Sequence, residues 1–121
     1  MVTTSAEWIV DVANVVGSRP DGWWRDRPGA TRRLLRRVAD AGIGSVIAVV
    51  EGAASTVADL PGVDVVRAAG SGDDEIVSQA ARRPGAVVVT ADRGLRGRLP
   101  QGTPVMGPRD FLDRLGPDPT E

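Results

Sequence analysis

Asp11 closes the apolar run Trp8-Ile9-Val10, and Asn14 follows three residues later. Val46-Ile47-Ala48-Val49-Val50 ends in Glu51, and Val87-Val88-Val89-Thr90 leads to Asp92. Val63-Asp64-Val65-Val66 reaches Asp73-Asp74-Glu75 through a Gly-Ser-Gly loop. These acids are nearly all the chemistry on offer, because the chain has no His, Cys, Lys or Tyr. A carboxylate cluster with no basic side chain built into it suits hard divalent cations such as Mg2+ or Mn2+.

The missing residues exclude whole classes of mechanism. Ser-His-Asp and Cys-His catalysis, a Schiff base and a thiolate nucleophile all lack a participant. A zinc site of the usual His/Cys type is excluded as well. Acid–base work falls to Asp, Glu or a metal ion. All 15 basic residues are Arg, the side chain best shaped to grip phosphate. A net charge of −1 nevertheless rules out a protein that coats nucleic acid in bulk, so polyanion binding must be local.

The elements decide whether the acids meet. Short β-branched runs alternating with helical stretches read as βαβ units in a three-layer α/β domain with a mainly parallel sheet of about five strands. The expected strands are 7–13, 45–50, 63–67, 86–91 and 103–106. The expected helices are 28–40, 53–60, 73–83, a short one opening at Arg93, and 108–115. Pro28 suits a first helical turn, and Gly42 stops that helix. Thr31, Leu34, Leu35, Val38 and Ala41 share its inner face, leaving Arg32, Arg33, Arg36 and Arg37 outward. Residues 16–27 read as a long loop, and 116–121 as a frayed tail. In parallel sheets, ligands bind beyond the carboxyl ends of the strands, so the acids should project to one edge.

A chain of 121 residues fits one domain spanning 1–121. No run is long enough to cross a membrane, and the first residues do not resemble a signal peptide. The lack of cysteine agrees with a cytoplasmic location, the expectation here.

Asp11-Val-Ala-Asn14, Gly72-Asp73-Asp-Glu-Ile76 and Val89-Thr90-Ala-Asp92-Arg-Gly-Leu95 resemble, in order, the three signature blocks of NYN-type nucleases of the PIN-like superfamily. The resemblance runs from about Trp8 to Leu115. It implies a PIN-like fold and a metal-dependent RNase with Asp11, Asp73 and Asp92 as catalytic metal ligands. It also implies supporting roles for Asn14 and Thr90, with Asp74 as a neighbour of Asp73. Glu51 would take the place of the family's fourth acid, where Asp is more usual.

The residues lead to similar chemistry without the family. A phosphodiester needs an in-line water made nucleophilic and a leaving oxyanion stabilised, and carboxylate-held Mg2+ or Mn2+ serves both needs. Arg93 could reach a substrate phosphate, pair with Asp92 or sit in solvent. Trp23 and Trp24, with Arg25 beside them, could stack RNA bases while Arg grips the backbone. The same pair could instead plug its loop into the core or form a homodimer contact. The expected function is hydrolysis of single-stranded RNA. A phosphohydrolase of small nucleotides and a non-catalytic RNA- or protein-binding module are the alternatives, and an inhibitor protein is a partner left open.

Overall fold

The computed structural model describes residues 6–117. Its core is a five-stranded sheet in the order β3-β2-β1-β4-β5, formed by Glu7–Asp11 (β1), Ser45–Val50 (β2), Asp64–Arg67 (β3), Val87–Val89 (β4) and Val105–Met106 (β5). Every pairing is parallel. The chain builds outward from β1 in one direction through β2 and β3, then returns to its other side with β4 and β5. The order therefore reverses between β1 and β4, where an open α/β sheet leaves a crevice at its carboxyl edge. The fold class is as the sequence predicts.

Five α-helices cover the sheet: Val12–Gly17 (α1), Arg27–Ala41 (α2), Gly72–Arg82 (α3), Arg93–Arg98 (α4) and Pro108–Leu115 (α5). Strand residues alternate between two packed faces, as the two-residue period of a strand requires. Trp8, Val10, Val46, Ala48 and Val50 join Leu34, Leu35, Val38 and Phe111 on the α1/α2/α5 side. Ile9, Ile47, Val49 and Val88 join Ile76, Ala80 and Leu95 on the α3/α4 side. The Trp8 and Phe111 rings meet at 5.7 Å between centroids, inside the range where tilted aromatic pairs attract. Central strands buried on both faces explain why the runs are continuously apolar.

Several boundaries move. The first strand stops at Asp11 rather than continuing to residue 13, and a helix begins at Val12 inside the expected strand. That helix also takes in residues 16 and 17, placed in a loop by the sequence. Five of its six residues VANVVG, all but Ala13, are poor helix formers in isolation. Asp11 caps the first turn, and Val12 and Val15 are fully buried, so packing overrides propensity. The stretch 53–60 forms no α-helix; a 3₁₀ segment, Gly52–Thr56, stands there. Strand β4 is shorter than the predicted 86–91.

Helix α2 buries Thr31, Leu34, Leu35 and Val38 as its spacing predicts, and Gly42 ends it with a positive φ of 59°. Its arginine face is not uniform. Arg32, Arg33 and Arg36 are exposed, but Arg37 is half-buried and donates to the carbonyls of Leu112 and Gly116 at 3.4 and 2.7 Å. Arg37 thus fastens the end of α5, and Gly116 with it. The rest of the expected tail, 118–121, lies outside the described residues. Among the described residues, no helix is long and apolar enough to cross a membrane.

Candidate active site

Asp11 ends the central strand and is 8% exposed. Its Oδ1 accepts the Asn14 backbone N–H at 3.3 Å, capping α1. Its Oδ2 accepts the Thr90 hydroxyl at 3.0 Å. Thr90 is fully buried just beyond the pair Val10 and Val89, which brings the ends of β1 and β4 side by side. The same Thr90 oxygen accepts the Asp92 backbone N–H at 3.1 Å. Asn14 adds a second tie, its Oδ1 accepting the Ala91 N–H at 2.8 Å. Helix α1 and the β4–α4 loop are therefore held together by side chains from the first and last motifs.

Asp92 is exposed at the start of α4 and caps it, with Oδ1 accepting the Leu95 N–H at 3.1 Å. Asp73 occupies the first turn of α3, where the helix dipole favours an anion. Glu51, at the end of β2, reaches that same turn: its Oε2 accepts the Gly72 N–H at 2.6 Å. A Cβ at Gly72 would stand 3.0 Å from the Glu51 oxygen, a tight contact that the Glu51 side chain would have to relieve by shifting. The acids of three motifs and the second strand end thus gather around one edge of the sheet.

Their electrostatics confirm the crowding. The Asp11 carboxyl is raised above its ordinary range, chiefly because burial penalises the charged form. The Thr90 and Asn14 hydrogen bonds oppose this rise, and the charges of Asp73 and Glu51 add to it. Asp73 is raised as well, first by desolvation, then by Asp92 and Glu51, with Arg98 partly compensating.

The donor set is of the type that binds a divalent cation. Its chemistry fits: the donors are oxygens only, and the repulsion at Asp11 and Asp73 is what a cation would relieve. A finished chelate is not formed, since among the described residues no group of three or more acids is disposed to hold an ion. Asp11, Glu51 and Asp92 each also accept a backbone N–H at a helix N-terminus.

The remaining expected residues divide. Asp74 adds its charge to those that raise the Asp73 carboxyl, but its side chain is 71% exposed and pairs with Arg98 at 2.5 Å. Arg93 is exposed and makes no ion pair with Asp92, whose bond goes to Leu95. Trp23, Trp24 and Arg25 form a 3₁₀ turn. Trp23 is half-buried, while Trp24 is 57% exposed. The two rings stand edge to face at 87°, with Arg25 over Trp24 and Arg27 over Trp23.

Sequence reasoning missed three residues. Ser71 caps α3 by accepting the Asp73 N–H, a role readable from Ser followed three residues later by an acid. Arg98 and Arg96 were also missed; Arg96 donates to the Thr90 carbonyl at 3.2 Å. Neither arginine carries a local signal, because their partners come from other elements.

Among solved structures, the chain resembles Rae1 (YacP) from Bacillus subtilis with a TM-score of 0.65. The two share an α/β fold. The likeness covers 90% of this chain and 73% of the other, at 18% sequence identity, so it concerns architecture. No family model and no curated protein matches the sequence.

Proposed function

We propose that the protein is a metal-dependent nuclease that hydrolyses phosphodiester bonds, with single-stranded RNA as its substrate. The observation that carries this reading is Asp11. A carboxylate is buried at the end of the central strand, held by two hydrogen bonds, and feels the charges of Asp73 and Glu51, with no cation paired to it among the described residues. Burying such a group unpaired costs stability, and a fold keeps it where a ligand makes good the deficit.

Asp11, Asp73 and Asp92 would hold Mg2+ or Mn2+, with Glu51 beside them. A bound divalent cation supplies the positive charge that a phosphodiester requires as negative charge develops on its oxygens. The chain's own residues supply position. Thr90 and Asn14 fix Asp11 and the loop bearing Asp92, and Ser71 and Glu51 fix the turn bearing Asp73. Arg93, exposed on the first turn of α4, stands ready for a substrate phosphate. Trp24 and Arg25 offer an exposed aromatic and cationic surface for the strand. The motif order and the PIN-like fold support the same reading.

The test is hydrolysis of labelled single-stranded RNA against free nucleotides, with Mn2+ and with chelator. Cleavage of RNA that chelator abolishes supports a nuclease. Turnover of free nucleotides alone would indicate a small-molecule phosphohydrolase, and binding without turnover a non-catalytic module.

A further inference from the structure

A cavity of about 540 Å³ opens between the 23–25 turn and the acidic edge. Trp23, Arg27 and Val16 line one side of it, and Glu51, Gly52 and Gly70 the other. Its volume lies within the usual range for a small organic ligand, about 300–1,000 Å³. The arrangement separates the two tryptophans. Trp24 faces solvent, while Trp23 lies close over Gly17, where a Cβ would stand 3.7 Å from the indole. With the rings at 87° to one another, they cannot sandwich one planar ligand.

We infer that this cavity is a one-nucleotide subsite, taking a single unstacked base of the RNA strand whose phosphate lies at the carboxylate edge. The inference rests on the nuclease reading and adds to it where the strand leaves the site. The Arg27 guanidinium carbon lies 5.2 Å from the Trp23 ring centroid, and this cation–π pair brings together the aromatic and cationic groups that receive an unpaired base. Among the described residues, Arg27 has no carboxylate partner, so its charge is available to the strand. Glu51 provides the opposite wall: one oxygen is bound to Gly72, and the carboxylate can accept from the amino or imino groups of a base. Asp73 follows Gly72 directly, so the base pocket and the acidic edge share one turn of chain. Every base has a π-face, so the stack secures the strand, and Glu51 is the group able to discriminate among bases.

The test uses Asp11→Asn protein in Mg2+, so that binding is read apart from cleavage. A short single-stranded ribo-oligonucleotide is compared with a series in which each nucleotide in turn is made abasic. One position should weaken binding by roughly ten-fold when its base is removed, as losing a single stacking contact does. Adding Trp23→Leu should abolish that positional penalty, Trp23→Phe should keep most of it, and Trp24→Leu should leave it in place. Arg27→Gln, on the surface, should weaken binding and shrink the penalty at the same position. A flat abasic profile, no binding at all, or a penalty that survives Trp23→Leu overturns the subsite. Wild-type cleavage alongside a flat profile would mean a nuclease without this pocket, so the two readings fail separately.

Discussion

The Thr90 hydroxyl donates to Asp11 Oδ2 at 3.0 Å and accepts the Asp92 N–H at 3.1 Å, so one buried oxygen couples the ends of β1 and β4. Thr90→Val keeps the shape and removes both bonds. At neutral pH it should cost roughly 1.5–3 kcal/mol, the usual worth of a hydrogen bond to a charged group. The bond favours ionised Asp11, so the loss should shrink in acid, where Asp11 is protonated. Thr90→Ser should retain most of the stability. Urea unfolding at two pH values checks this, and an equal loss at both would mean the bond does not serve the carboxylate.

The raised carboxyls of Asp11 and Asp73 set a pH dependence with a definite sign. Each binds its proton more tightly folded than unfolded, where the value is about 3.8. Between that value and the raised folded one, the folded state holds more protons, so their contribution to stability falls as pH rises. The penalty is complete above the folded value. Mn2+ or Mg2+ should therefore raise the melting temperature at pH 7 and lose its effect as the acids protonate. Melting curves with and without millimolar Mn2+ across pH decide it. A melting temperature indifferent to Mn2+ at pH 7 would count against a metal site.

Asn14 ties α1 to the loop bearing Asp92 through the Ala91 N–H. Ala91 is exposed, so water can replace the lost acceptor, and Asn14→Ala should cost only about 1 kcal/mol. The effect on the site should be larger. Groups that orient metal ligands typically change affinity by about 10–100-fold when removed. Calorimetric Mn2+ titration of the variant measures this, and unchanged affinity would make Asn14 a structural strap only.

The acids' convergence was legible because it needs little beyond strand direction. Parallel strands put their carboxyl ends on one side, so Asp11, Glu51 and Asp92 share an edge once the runs are recognised as strands. Helix α1 was not legible: Val12 read as strand and Val16 as loop, and burial against α2 and α5 decides otherwise. Arg37 looked like one more solvated arginine, since its partners at Leu112 and Gly116 lie 75 and 79 residues away. The division between Trp23 and Trp24 was hidden for the same reason. A single turn sends one ring toward the acidic edge and the other into water, and only the packing over Gly17 says which.

The central claim is that Asp11 anchors a metal site that cleaves RNA. Its most direct test is cleavage of a labelled single-stranded RNA by the wild type and by Asp11→Asn, each with Mn2+ and with chelator. Asparagine matches aspartate in size and can still cap α1, so the variant should fold. The account predicts Mn2+-dependent cleavage by the wild type and none by Asp11→Asn at equal folding. Cleavage by Asp11→Asn as fast as by the wild type would contradict it.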